Sequence, residues 1–237
     1  MYRLGLLACD FVPDELRNRF EDYPVMYRAA IDSASVAVEW RIYRTYAGEL
    51  PGALTECDGY ITTGSRSGAY DAEEWIAALL QFIRNLDASA QPLVGICFGH
   101  QAIAQALGGK VEKSDRGWGI GLQRYQTDAN AGGAWFEPRL DEFTVPVCHQ
   151  DQVIDLPAGA RLLASSGHCK NFMVQFSETM LGLQGHPEFN RGYIEALLDW
   201  RKGLILGTVR EDAINSLDRR GDNAKIMRWI ANFLGIE

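Results

Sequence analysis

The sequence predicts an α/β fold in three layers, with a central, mostly parallel sheet between helices. Three observations predict it. Short apolar runs alternate with amphipathic stretches through the first part of the chain. One run, Pro92-Leu93-Val94-Gly95-Ile96, is apolar throughout, as a strand buried on both faces must be. Glycines stand where strands would give way to loops and where a helix would stop. The 237 residues, 47% hydrophobic and 23% charged, suffice for the large core such a fold requires.

The elements follow in order. Leu4 to Ala8 is strand-like, too short for a signal peptide and interrupted by Asp10, so it reads as a buried first strand. Pro24 to Ser35 reads as a helix, with Met26, Ala29, Ala30 and Ser33 at helical spacing. Val36 to Tyr43 is β-branched and aromatic, a second strand. Tyr60-Ile61-Thr62-Thr63 is a third, stopped by Gly64. A helix is expected from Asp71 to Leu86, with Glu73 and Glu74 in the first turn, where the helix dipole favours acids. The apolar run ending at Ile96 is the fourth strand. Phe98 to Leu107 is a helix closed by Gly108-Gly109. This alternation implies parallel strands with helices on both faces, and such sheets bind ligands beyond the carboxyl ends of their strands. From about residue 110 to 185 the pattern changes. Segments 121–125, 143–147 and 173–176 read as short strands of an antiparallel extension. Beyond about 190 the chain reads as helical, with Ile226, Trp229, Ile230, Phe233 and Leu234 on one face. The expected organisation is a single domain over 1–237, with a core of 1–190 and a C-terminal helical extension of 191–237.

Composition excludes several classes of function. A net charge of −8 without clustered Lys and Arg leaves no general attraction for nucleic acid or anionic membrane. No apolar stretch is long enough to span a bilayer. Five cysteines, irregularly spaced and without C-x-x-C, fit a reducing cytoplasm better than a disulfide framework.

The sharpest feature is Gly95-Ile96-Cys97-Phe98-Gly99-His100-Gln101, a buried strand entering a tight turn and a helix leaving it. A nucleophile on such a turn needs small neighbours two before and two after, so that strand and helix can approach. The thiol would sit at a helix N-terminus, whose partial positive charge favours thiolate. The Phe98 N–H would be free to face a developing oxyanion. A nucleophilic cysteine also needs a base and a group that orients the base. Of the four histidines, His100 lies inside the helix and is expected to point away. An apolar strand ends at Gly185, and His186 follows it in Gly185-His186-Pro187-Glu188. Pro187 biases it toward an extended backbone, and extended residues two apart share a face. Glu188 can then hold the imidazole tautomer. A metal site from Cys148, His149, His168 and Cys169 is disfavoured, because the pairs are adjacent residues rather than spaced ligands.

These two motifs together resemble the class I (triad) glutamine amidotransferases, nearest to the GMP-synthase-like branch that includes the plant γ-glutamyl peptidases. The resemblance runs over nearly the whole chain and implies a Rossmann-like (flavodoxin-like) fold. It also implies a mechanism in which Cys97 attacks the γ-carbonyl of glutamine, a γ-glutamyl thioester forms, and His186 protonates the leaving amine. It implies Phe98 and Gly64 as oxyanion donors, although Ser65-Arg66-Ser67-Gly68 lacks the proline usual after that glycine. It implies that Gln101 holds the amino-acid end of the substrate. It implies that the backbone of Cys148-His149-Gln150-Asp151 grips the same end, Cys148 standing where serine is usual.

No cofactor is called for. Neither Gly-x-x-x-x-Gly-Lys-Ser/Thr nor Ser-Gly-Gly-x-Asp-Ser occurs, so no nucleotide-using domain is part of this sequence. The small-molecule substrate is expected to be glutamine or another γ-glutamyl compound. The leading reading is a glutaminase that supplies ammonia to a separate synthetase subunit. The alternatives are a stand-alone γ-glutamyl hydrolase or peptidase, and a catalytically idle binding or regulatory relative. Tyr70, Trp75, Arg66 and Arg116-Gly117-Trp118 are candidates for lining a leaving-group pocket.

Overall fold

Leu4, Leu6, Ile61, Val94, Ile96, Leu181 and Leu183 face one buried cluster, while Leu7, Tyr60, Leu93 and Met180 face another. That split follows from the strand period of two, in which neighbouring side chains leave a sheet on opposite faces. The computed structural model describes residues 1–33, 38–129 and 131–236. Its strands are β1 (Tyr2–Leu7), β2 (Val38–Tyr43), β3 (Gly59–Thr62), β4 (Leu93–Ile96), β5 (Lys110–Lys113), β6 (Gly119–Thr127), β7 (Glu142–His149), β8 (Asp151–Asp155), β9 (Arg161–Ser165), β10 (Met173–Gln175) and β11 (Met180–Leu183). Its helices are α1 (Tyr23–Asp32), α2 (Glu74–Ala88), α3 (Phe98–Ala106), α4 (Arg191–Trp200), α5 (Gly207–Ser216) and α6 (Asn223–Phe233). Ala34 and Ser35, at the expected end of the first helix, and Val36 and Ala37, at the expected start of the second strand, lie outside the described residues.

Nine strands form one sheet in the order β2-β1-β3-β4-β11-β10-β9-β6-β7. From β2 to β11 every pairing is parallel. From β11 to β7 every pairing is antiparallel. The result is an α/β fold with a large mixed sheet, and the parallel part carries the site. A separate two-stranded pair, β5 with β8, lies beside the mouth of that site. The sequence pattern did not mark it, because Lys110–Lys113 has only Val111 buried.

Helices α2 and α3 cover one face through Leu79, Ile83, Leu86 and Ile103. Helices α1 and α6 cover the other through Tyr27, Ile31, Ile226, Trp229 and Ile230. A third cluster joins α4 and α5 to β6 and to Val12 and Leu16. Helix α2 begins at Glu74, later than expected from Asp71. Asp71 instead accepts the Gly68 N–H at 2.7 Å and closes the preceding loop, a competing use of Asp that local propensity cannot rank. Among the described residues no helix is long and apolar enough to cross a membrane.

Candidate active site

β4 ends at Ile96, and α3 begins at Phe98, so Cys97 is the single residue between them. The approach is too close for side chains. A Cβ at Gly95 would lie 2.5 Å from the Gly99 carbonyl carbon, and one at Gly99 would collide with Thr62. Cys97 takes φ 53° and ψ −101°, a strained conformation for a residue with a Cβ. The surrounding sheet holds it there, its N–H bonded to Leu183 O at 2.8 Å. Phe98 occupies the first helical position, where a backbone N–H has no partner within the helix.

His186 and Glu188 reach the same place from β11. The expected extended backbone gives way to a turn, since the Phe189 N–H donates to His186 O at 3.1 Å. The two side chains meet nevertheless. His186 Nδ1 lies 2.7 Å from Glu188 Oε1, both side chains are buried, and the ring stacks on Phe189 at 4.2 Å and 5°. Burial alone would lower the His186 pKa. The charges of Cys97 and Glu188 overcome that and hold it well above the ordinary histidine value.

Gly64 follows β3 and faces both groups. A Cβ there would sit 2.8 Å from His186 Cε1 and 3.5 Å from Cys97 Cβ. Among the described residues, no protein group accepts the Gly64 N–H. Gln101 points toward the same end of the sheet, but its Nε2 is committed to Asp151 O at 2.9 Å and Gln184 Oε1 at 3.1 Å. His149 is buried, with Nδ1 3.2 Å from Asp151 O. Burial, with His168 nearby, pushes its pKa down to about 3. Asp151 accepts the Tyr70 hydroxyl at 3.2 Å, and burial raises its carboxyl pKa.

A cavity of about 270 Å³ is lined by Cys97, Gln101, His149, Gln150, Asp151 and Tyr70. Arg66 and Trp118 also line it. Three expected lining residues, Trp75, Arg116 and Gly117, do not. Trp75 packs on Phe98 and donates its indole N–H to Glu73, and Arg116 turns to the Gly167 carbonyl. His100 points away, with Nε2 2.9 Å from Asn171 O, and burial lowers its pKa to about 4. His149 and His168 approach each other, but among the described residues no group of three or more His, Cys, Asp or Glu is arranged to hold a metal.

Four residues at the site escaped the sequence reading. Gln184 Nε2 lies 3.5 Å from Cys97 Sγ. Its place two residues before His186 was the available signal, since strand residues two apart share a face. Tyr27, on α1, donates to Glu188 Oε1 at 3.1 Å. Asp10 grips the Gly64 loop through Arg66, taking its backbone N–H at 2.9 Å and its guanidinium at 2.7 and 2.8 Å. Arg201, at the end of α4, lines the cavity. These three come from distant segments and had no local signal.

Comparisons with known proteins give the family and the fold. Residues 31–196 match the family model "Glutamine amidotransferase class-I". The chain is 35% identical over 192 residues to γ-glutamyl peptidase 5 of Arabidopsis thaliana, covering 79% of this chain and 76% of that one. It is 34% identical over 155 residues to the glutamine-hydrolysing GMP synthase of Macrococcus caseolyticus, covering 65% of this chain but 27% of that one. A glutamine amidotransferase crystal structure from Thermotoga maritima shares the fold, with a TM-score of 0.74 at 21% identity over 98% of both chains. On this match the chain belongs to the class I glutamine amidotransferase family.

Proposed function

We propose that the protein hydrolyses γ-glutamyl amide bonds through a thioester on Cys97, acting without a synthetase partner. The carrying observation is the buried file of Cys97, His186 and Glu188 at adjacent parallel strand ends, with Gly64 against it. Cys97 Sγ attacks the γ-carbonyl carbon, and the carbonyl oxygen takes the negative charge facing the N–H groups of Phe98 and Gly64. His186, held as the imidazolium, gives its proton to the leaving nitrogen as the C–N bond breaks. A water then attacks the thioester with His186 as base; His186 keeps the water's proton, and glutamate leaves Cys97 Sγ, which returns both groups to their starting charges. Glu188 fixes the His186 tautomer, and Tyr27 fixes Glu188. Gln184 donates to the sulfur. Gln101, His149, Gln150 and Asp151 line the chamber that receives the glutamyl α-amino and α-carboxylate groups. Similarity to a γ-glutamyl peptidase over most of both chains supports action as a stand-alone hydrolase. The free thiols suit a reducing compartment such as the cytoplasm.

A second reading, ammonia supply to a separate synthetase subunit, is favoured by the narrowness of the space beside His186, about 30 Å³, and by similarity to a GMP synthase. The test is glutamate release from glutamine, γ-glutamyl amines, γ-glutamyl dipeptides and glutathione. A γ-glutamyl-enzyme adduct is sought by mass spectrometry. Turnover that survives Cys97→Ala refutes the mechanism. Turnover of glutamine alone, and only with cell extract present, selects the second reading.

A further inference from the structure

Two chambers meet at Cys97. Gln101, Gln150, Asp151 and Tyr70 line the larger. His186, Gly64, Asp10, Tyr23 and Phe189 line the smaller, of about 30 Å³. His186 touches only the smaller one, and a general acid must reach the nitrogen it protonates. The smaller chamber is therefore the leaving-group side, on the reading that Cys97 and His186 cleave a γ-glutamyl amide.

Two arginines stand at the junction, lining both chambers. Arg66 is spent, because Asp10 neutralises its guanidinium with paired bonds. Arg201 is not. Among the described residues no carboxylate pairs with it, and its Nε is buried without a hydrogen-bond partner. Its guanidinium lies 4.9 Å from the centre of the Trp118 ring and 5.4 Å from that of Trp200, which hold it in place without neutralising it. Its charge reaches the cavity wall, where it opposes the burial that raises the Cys148 thiol pKa. A half-buried guanidinium that lines both chambers and that no carboxylate among the described residues neutralises calls for an anion, and the planar fork suits a carboxylate.

From this geometry we infer that Arg201 is a specificity-determining residue that receives a carboxylate on the leaving group. The favoured substrates are γ-glutamyl amino acids and peptides with a carboxylate close to the scissile nitrogen, rather than neutral γ-glutamyl amines. The narrow chamber admits the scissile nitrogen and little more, so the rest of an amino-acid leaving group emerges at the junction. There its carboxylate, one carbon from that nitrogen, meets Arg201.

The test compares γ-glutamyl-alanine with γ-glutamyl-alaninamide, which differ only in that charge. The readout is the ratio of their kcat/KM values, which cancels effects on chemistry common to both. Wild type is expected to favour the carboxylate by about tenfold to hundredfold, the worth of a charge-assisted hydrogen bond. Added salt shrinks that ratio. In Arg201→Gln the ratio falls toward one, and in Arg201→Lys it is partly kept. A wild-type ratio near one, or an unchanged ratio in Arg201→Gln, overturns the inference while leaving the hydrolase reading intact. Should Arg201→Gln fail to fold, a salt-insensitive wild-type ratio overturns it equally. Cleavage of neither compound, nor of any other γ-glutamyl compound, overturns the hydrolase reading and this inference together.

Discussion

Gly64→Ala tests whether the loop after β3 and the imidazole of His186 form one rigid unit. The added methyl would lie 2.8 Å from His186 Cε1 and 3.5 Å from Cys97 Cβ. Carbon atoms in contact sit about 3.5–4.0 Å apart, so something must give by about 0.7–1.2 Å. The imidazole is held on three sides, by Glu188 at 2.7 Å, by the Phe189 ring at 4.2 Å, and through its backbone N–H to Pro146 O at 2.8 Å. The loop is held as well, through Arg66 on Asp10. Overpacking of this kind costs about 1–3 kcal/mol of stability, which in a chain of this size lowers Tm by about 2–12 °C. A reacting group displaced by about 1 Å loses about 10²-fold in rate. Glutamate release from a γ-glutamyl amide, with calorimetry on the same sample, reads both quantities. A variant that melts a few degrees lower yet keeps the wild-type kcat refutes the placement of Gly64 against the base.

Gly95→Ala drives a methyl into the Gly99 backbone at 2.5 Å. Backbone cannot rotate away as a side chain can, so a loss of about 3 kcal/mol or more is expected in urea unfolding; a wild-type midpoint would show that strand and helix do not need this approach. Gln184→Leu removes the donor to Cys97 Sγ and is expected to lower kcat by about tenfold to hundredfold. Slower alkylation of the thiol by iodoacetamide near neutral pH checks it, and unchanged alkylation would count against it. Because folded His186 keeps its proton to a pH well above the ordinary value, its contribution to stability is complete below the unfolded pKa of about 6.5. It is lost as pH rises through the folded pKa, so the urea midpoint falls on the alkaline side. The fall should be smaller in Cys97→Ala, and an equal fall would reject the Cys97–His186 coupling. His100 and His149 show the opposite sign. Burial keeps them neutral down to about 4 and about 3, while the unfolded chain takes up protons from about 6.5. Stability should therefore drop between pH 6.5 and 4.5, by on the order of 2 kcal/mol for each; a flat midpoint across that range would contradict it.

Much of the fold was legible because its signals are local. The run Leu93–Ile96, buried at every position, needed only its composition to be read as a central strand. The glycines flanking Cys97 marked a close approach before its partner atoms were known. His186 and Glu188 meet although their backbone turns, because two residues that close in sequence have few ways to face apart once the intervening proline fixes one torsion. The start of α2 was less legible, since Asp71 had a loop amide within reach as well as a helix end.

The sequence by itself determined the family, the alternating strands and helices, and the strand ends at which Cys97 and His186 emerge. Those features depend on residue type, spacing and period, all of which are properties of short segments. Only the tertiary structure decided what surrounds them: Tyr27 on Glu188, Asp10 on the Gly64 loop through Arg66, and Arg201 over two indoles with no carboxylate partner among the described residues. Each of these meets the site from a different element, and a hydrogen bond or a missing counter-charge between distant segments leaves no periodic trace in the chain. The strand ends therefore locate the proposed chemistry, and the groups that converge on them are what the proposed leaving-group preference rests on.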